Sequence, residues 1–539
     1  MPPRLKPWMT WLMAGLALAG LGILYGRIAL RPGLGSLADD GVSYLLMAAC
    51  WSPWSAPDPA LAAACLDERY PPLFPLLLAL TGGAEDARLA HAVSILGPLL
   101  ALPLLYRLAR GALSPLSALL CAALFALSPL VWSHLRHVIS EHLFLPLLLL
   151  TLLAWEREPA APRFRLAVAL PLAGLLFTRS LGLAVALALA LDHGRRRRAS
   201  GEPLAPGSAT LWLPLLLSLA WSAAHPPGGA EMPSYGQEWL GVWHQATTAT
   251  TEPPAPSDAT GATSGVFQGQ ALVEAWPGVL IAYWRHETEP AFLLAAGFGL
   301  LALGGLGMRL RQGRPDGTVV LITLALLSVW PAPGQMPRFL YGLAPLLLFH
   351  GMVGLEGLGA LLRLPDRPRR WLTLGLVGTL LLLAANGAHF MSRRAAFSSS
   401  PPGMDYAQNA DFLRLPDLDE ARRVAADQER LRLDLEELAR SVPPGEAVLS
   451  AAPNYVAWVA RRRAFSLAPL TRPEELTRRL QATGARWIYL SRYHPRFTRR
   501  EFNGLAPLPW VERVARPVWV SLHPETGEPS GVLLRVNDP

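Results

Sequence analysis

The strongest constraint on this chain's fold is a succession of long apolar runs. They lie near Trp8–Leu30, Leu89–Tyr106, Pro115–Val131, Leu143–Trp155, Leu211–His225, Ala291–Met308, Val319–Trp330, Phe339–Leu361 and Trp371–Phe390. Runs of about 17–25 residues are the length at which a helix crosses about 30 Å of hydrocarbon. Over 539 residues, 52% are hydrophobic and only 16% charged, which excludes an array of soluble domains. A bilayer is therefore the expected solvent for most of the chain.

One further apolar stretch, "RLAVALPLAGLLFTRSLGLAVALALALD" from Arg165 to Asp192, is interrupted at Thr178-Arg179-Ser180. Each half is about thirteen residues, or about 20 Å of helix, so two short helices turning at Arg179 are expected. With this pair counted as two, the membrane part holds about eleven spans. Basic residues mark the orientation. Arg4 and Lys6, Arg107 and Arg110, Arg157 with Arg163 and Arg165, Arg195–Arg198, Arg309 with Arg311 and Arg314, and Arg363–Arg370 fall on every second connection, the pattern of cytoplasmic loops. The N-terminus is then cytoplasmic and the C-terminus extracytoplasmic, as expected for a multi-pass protein of a bacterial inner membrane. The N-terminal run could alternatively serve as a cleaved signal peptide, with "ALALAG" as its small-residue site.

Ionisable residues collect on the outer side of this arrangement. Asp39, Asp40 and Tyr44 occur in "SLADDGVSYLLMAACW", and Arg69 and Tyr70 in "DERYPPLFPLLLAL", both within a first outer loop spanning 31–88. Arg136, His137 and Glu141 occur in "SHLRHVISEHLF", and Arg338 and Tyr341 in "MPRFLYGLAPLLL". Charges near hydrocarbon are expensive, so acids and arginines at the mouths of several spans are expected to share one polar cavity. Snorkelling to headgroups accounts for Arg27, Arg31 and Arg88. Cys50 and Cys65 flank about fifteen residues and could form a disulfide, or stand as two unpaired thiols.

The apolar spans end near Phe390. Residues 1–396 read as the membrane domain, with a long low-complexity outer loop at 226–289 bordered by Trp239, Trp243, Trp276 and Trp284. Residues 397–539 read as a soluble α/β domain. Its expected helices are "ERLRLDLEELARSV", "NYVAWVARR" and "RPEELTRRLQATG", and its expected strands are near "GEAVLS", "ARWIYLS", "WVERVARP", "VWVSLHP" and "GVLLRVN". Nucleic acid is not an expected partner, because no basic stripe is interleaved with aromatics.

Taken in order, "DDGVSY", "RYPPLFPLLLAL", "SEHLF", "FTRSLGL", "RFLYGLAPLLL" and a soluble C-terminal domain resemble the C-type membrane glycosyltransferases, in particular the family 39 branch with the bacterial aminoarabinose transferases and protein O-mannosyltransferases. This chain has Asp39-Asp40 where the family usually has Asp-Glu, and Tyr70-Pro71-Pro72 where aminoarabinose transferases have Lys-Pro-Pro. The resemblance implies an inverting transfer of sugar from a polyprenyl-phosphate-linked donor to a hydroxyl of a lipid, glycan or protein at the outer face, with membrane lipids around it. It implies Asp39 as general base, with Asp40 orienting the acceptor or tuning Asp39. Arg338 and Arg179 are candidates for the lipid phosphate, with Arg69 a third. Glu141 and His137 would hold these cations or a metal, and Tyr44, Tyr70 and Tyr341 would line the substrate site. A divalent metal stays open, since some members use one, but His134, His137, Glu141 and His142 are too irregular to assign as ligands. The alternative from another class is a transporter or flippase of polyprenyl-linked sugar. Such proteins tend to carry paired repeats and midplane sites, whereas here no half resembles the other and the polar groups gather at one face.

Overall fold

The computed structural model describes residues 7–30, 39–56, 58, 61, 70–157, 164–200, 209–224, 269–280, 289–330, 336–397, 418–467, 473–493, 505, 508–523 and 527–537. Arg69, Cys65, most of the loop 226–289 with Trp239, Trp243 and Trp284, and the side chain of Asp39 lie outside them. Cys50 is disulfide-bonded, while Cys121 is a buried free thiol.

The first half of the chain contains α1 (Pro7–Ala29), α2 (Asp39–Trp51), α3 (Leu73–Leu80), α4 (Ala87–Ala109), α5 (Pro115–Leu127), α6 (Pro129–His134), α7 (Glu141–Arg157), α8 (Phe164–Leu176), α9 (Gly182–Ser200) and α10 (Ala209–Ala224). After α11 (Gly269–Ala275) come α12 (Glu289–Arg311), α13 (Pro315–Leu327), α14 (Met336–Leu361) and α15 (Asp366–Phe397). Five helices among the described residues are long and apolar enough to cross a membrane: Ala87–Ala109, Pro115–His134, Pro290–Arg311, Met336–Leu361 and Arg367–His389. Shorter apolar helices cover Gly15–Ala29, Leu166–Leu176, Leu211–Trp221 and Pro315–Leu327. Leu16, Leu213, Leu300, Leu303 and Leu382 point away from the protein. So much exposed leucine would be untenable in water and is what lipid contact requires. The protein is thus a helical, multi-span membrane protein. The interrupted stretch folds as expected, into α8, a turn at 177–181 and α9.

Helix α14 is the axis of this bundle, buried for nearly its whole length. Its seat on α12 depends on two glycines: a Cβ at Gly305 would strike the His350 carbonyl, and one at Gly354 would strike that of Leu301. Small residues at such a crossing let two backbones approach closely. About 18 Å along α14 from Arg338, a second charged cluster joins three helices. Arg309 Nη2 donates to Asp316 Oδ1 at 2.7 Å, and His350 Nε2 lies 3.0 Å from Asp316 Oδ2.

The C-terminal domain begins with α16 (Leu418–Ser441), whose Leu431, Leu435 and Leu438 are fully buried at the expected helical spacing. It continues through β1 (Ala447–Ser450), α17 (Pro453–Tyr455), β2 (Arg463–Ser466), α18 (Pro473–Thr483), β3 (Trp487–Ser491), α19 (Leu508–Val511), β4 (Ala515–Leu522) and β5 (Pro529–Val536). The sheet order is β2-β1-β3-β5-β4. β1 pairs in parallel with β2 and β3, while β3–β5 and β5–β4 are antiparallel. Two expectations change. "NYVAWVARR" forms only the single turn α17, which widens into a π-helical turn at Val456–Ala460 and stops at Arg461, in the left-handed region at φ 52°. β2 follows at once, short and half-exposed, so no hydrophobic alternation announced it. "WVERVARP" is not a strand of its own: its start belongs to the helix Leu508–Val511, and its last three residues open β4 at Ala515, so it and "VWVSLHP" give one strand.

Candidate active site

Acids and arginines from four separate stretches meet where α2 lies across the end of the helical bundle. Glu141 is the first residue of α7 and only 1% exposed. A helix N-terminus favours a carboxylate, and two arginines converge on this one. Arg338, in the first turn of α14, donates through Nε to Glu141 Oε1 and through Nη2 to Oε2 at 3.0 Å, the forked geometry that suits guanidinium to carboxylate. Arg179, from the turn between α8 and α9, places Nη1 2.5 Å from Glu141 Oε1. Its guanidinium also lies 5.5 Å from the centre of the Phe339 ring.

Arg338 has a second carboxylate. Its Nη1 donates to Asp40 Oδ2, while Tyr70 donates its hydroxyl to Asp40 Oδ1 at 2.7 Å. Burial alone would push the Asp40 carboxyl up. The Arg338 charge, with the hydrogen bonds from Tyr70 and Arg338, outweighs it and holds the group down at about 2. Asp40 is therefore ionised at neutral pH and a weak base. Among the described residues two cations, Arg338 and Arg179, balance two anions, Asp40 and Glu141, which is what burial of such a cluster demands.

The aromatic residues hold α2 in register. Tyr44, one turn beyond Asp40, stands edge-on to Tyr70 at 5.0 Å and to Phe74 at 5.2 Å. Its hydroxyl lies 3.0 Å from Ser140 Oγ, which also accepts from Arg179 Nη1 at 3.2 Å. Backbone joins the pieces too, for Leu73 N–H donates to the Phe177 carbonyl at 2.9 Å and ties α3 to the turn that carries Arg179. Where α2 meets the segment that leads into α7, Gly41 has no room for a side chain: a Cβ there would lie 2.7 Å from the Val138 carbonyl oxygen.

Of the residues expected at the site, Asp40, Tyr44, Tyr70, Glu141, Arg179 and Arg338 come together. Asp39 opens the same helix, one residue before Asp40. Tyr341 lies one turn along α14 from Arg338 and stacks on His134 at 4.8 Å, edge-on to His142 at 5.5 Å. His137 is buried, yet neither ring nitrogen has a hydrogen-bond partner among the described residues. Of Glu141 and His137, Glu141 contacts both arginines and His137 contacts neither. Among the described residues no group of three or more His, Cys, Asp or Glu is placed to hold a metal ion. Ser140 and Phe339 were not foreseen, although a serine just before Glu141 at a helix start is a recognisable signal.

No family model matches the chain, and no curated protein is similar to it in sequence. Solved structures are similar to it in fold. One is ArnT from Cupriavidus metallidurans bound to undecaprenyl phosphate, at 12% identity and TM-score 0.54, covering 97% of this chain and 98% of that one. Another is the archaeal oligosaccharyltransferase AglB from Archaeoglobus fulgidus in complex with an inhibitory peptide and a dolichol-phosphate, at 13% identity and TM-score 0.51, covering 98% and 75%. A third is the mycobacterial arabinofuranosyltransferase AftD, at 18% identity and TM-score 0.50, covering all of this chain and 40% of that one. The resemblance carried by the short motifs thus extends over nearly the whole chain, which has the fold of C-type membrane glycosyltransferases.

Proposed function

We propose that the protein is an inverting glycosyltransferase that moves a sugar from a polyprenyl-phosphate carrier to an acceptor hydroxyl at the extracytoplasmic face of the membrane. The observation that carries this reading is the convergence of Arg338 and Arg179 on Glu141 at the end of the bundle. Arg179 keeps a buried Nε–H without a hydrogen-bond partner among the described residues, a donor suited to a phosphate oxygen. The undecaprenyl phosphate and dolichol-phosphate in the ArnT and AglB structures support a donor of this class.

In this mechanism the acceptor oxygen attacks the anomeric carbon as the bond to the phosphate oxygen breaks, which inverts the configuration. The electron pair leaves with the lipid phosphate, whose growing charge Arg338 and Arg179 neutralise. Asp39 takes the proton. Asp40 is unsuited to that task, since Arg338 and Tyr70 already occupy its carboxylate and hold it weakly basic. It instead orients Arg338, and Glu141 holds both arginines. The acceptor is a lipid, glycan or protein hydroxyl. About eleven crossings, with a cytoplasmic N-terminus and a periplasmic C-terminal domain, bring the site to the outer face of a bacterial inner membrane.

The test is incubation of purified protein in detergent with synthetic polyprenyl-phosphate sugars and an envelope extract as acceptor source. Acceptor-dependent release of free polyprenyl phosphate is expected. Passage of intact donor across vesicle membranes without cleavage would instead identify a flippase.

A further inference from the structure

Helix α2 is only 13 residues long, yet Val42 through Ala48 are all buried, so it has no free face. A helix near a surface normally buries one stripe. Here one side of α2 packs on α3 and approaches Val138, and the other side is covered by the C-terminal domain. Leu45 and Leu46 share one apolar core with Tyr455, Val456 and Leu533, more than 400 residues away in the chain. Within that apolar contact one polar bond is directional. Asn454 Nδ2 donates to Ser43 Oγ at 2.9 Å, and Ser43 is 2% exposed.

Asn454 sits on the irregular part of the domain, α17 and the π-helical turn that follows. Such turns are uncommon and concentrate at functional positions. This one is rigidly held: Arg462, just beyond it, donates to the carbonyls of Val442 at 2.7 Å and Ala439 at 2.6 Å, at the end of α16. A continuous path therefore runs from α16 through the turn to Asn454, to Ser43, and along less than one helical turn to Asp40.

We propose that the C-terminal domain acts as a clamp on α2, and that Asn454, through its hydrogen bond to Ser43, is a positioning residue that fixes where the Asp39–Asp40 pair stands relative to Arg338. Among the described residues the C-terminal domain covers the part of α2 that α3 and Val138 leave open, so it completes the seat of the acid pair. The inference rests on the glycosyltransferase reading for its kinetic consequence but not for its structural one.

The test uses full-length protein in detergent. For Asn454→Ala, the turnover number for sugar transfer should fall about tenfold, since sub-ångström misplacement of reacting groups costs rate steeply, with KM for the polyprenyl-phosphate donor unchanged. Ser43→Ala should fall similarly, and the double variant should be no worse than either alone. Asn454→Asp, whose carboxylate can accept from the Ser43 hydroxyl, should recover most of the rate. Amide hydrogen exchange over 39–51 should rise in Asn454→Ala while exchange over β1 and β3 stays the same. Unchanged turnover and exchange in Asn454→Ala would overturn the proposal, as would a loss that adds in the double variant. If the wild type transfers no sugar, the functional reading fails, and the exchange measurement still decides the clamp.

Discussion

Arg338 donates to Asp40 across 298 positions of sequence, joining the first turn of α14 to the first turn of α2. The same guanidinium is forked onto Glu141, so one side chain ties the deepest helix of the bundle to the element lying over its end. Exchange of Arg338 should therefore affect both binding and geometry. Arg338→Ala is expected to abolish measurable binding of polyprenyl phosphate. Arg338→Lys should restore it only in part, because lysine keeps the charge and loses the fork. Equilibrium binding of a fluorescent polyprenyl phosphate checks this, and wild-type affinity in both variants would reduce Arg338 to a structural tie.

Glu141 should matter most for stability. It compensates two arginines while 1% exposed, and removing one partner of a buried ion pair typically costs about 3–5 kcal/mol. Glu141→Gln should lower the thermal midpoint in detergent sharply, whereas Glu474→Gln, at an exposed position of α18, should stay within about 0.5 kcal/mol of wild type. Equal midpoints would show that Glu141 does not hold the cluster.

Gly41 provides a steric test. A methyl group there meets the backbone of Val138 at 2.7 Å, so Gly41→Ala must lift α2 and carry the acid pair with it. Transfer should drop about 10²-fold if the carboxylates move by about an ångström, with the protein still folded by size-exclusion profile. Retained activity would mean that the acids need no such close seating.

Acid should weaken the fold in a defined window. The Asp40 carboxyl stands at about 2 against an ordinary 3.8. A depressed carboxylate contributes stability that is complete above the unfolded value and is lost as pH falls through the folded one. About 2 kcal/mol is at stake. The contribution should be constant from pH 7 to 5 and decline below about 4. Asp40→Asn should be less stable at neutral pH and show a shallower decline, read by unfolding midpoints at pH 7, 5 and 3. Parallel curves for the two proteins would contradict the Asp40–Arg338 pairing.

Much of this arrangement is legible in the sequence alone. The helices follow from run lengths, because in a bilayer every backbone group must be satisfied within its own segment. The break at Arg179 reads as a turn because neither half is long enough to span. Arg179, Glu141, Arg338 and the acid pair stand out because each is costly in apolar surroundings. The partnerships were not legible. Nothing local to Arg338 says that it takes both Asp40 and Glu141, and nothing near Ser140 says that it bridges Tyr44 and Arg179. The seating of the C-terminal domain on α2 was equally hidden, since Asn454 and Ser43 are 411 residues apart and an asparagine in a turn has an ordinary local explanation. β2 was missed because a short, half-exposed edge strand carries no periodicity.

The proposed sidedness rests on the arginine distribution and can be tested separately. A cysteine replacing exposed Gln481 on α18 should react with an impermeant maleimide in intact cells, and one replacing Ser200 at the end of α9 should not. The opposite labelling would put the site on the cytoplasmic face.

The central claim is that Asp39 takes the acceptor's proton while the arginines receive the lipid phosphate. Its most direct test is the rate of sugar transfer from a synthetic polyprenyl-phosphate donor by Asp39→Asn, beside donor binding by the same protein. Loss of general-base assistance costs typically about 10²–10⁴-fold, so turnover should fall by that much with donor affinity intact, and Asp39→Glu should recover little. Wild-type turnover by Asp39→Asn would contradict the account and return Asp39 to the ordinary solvation of a helix end.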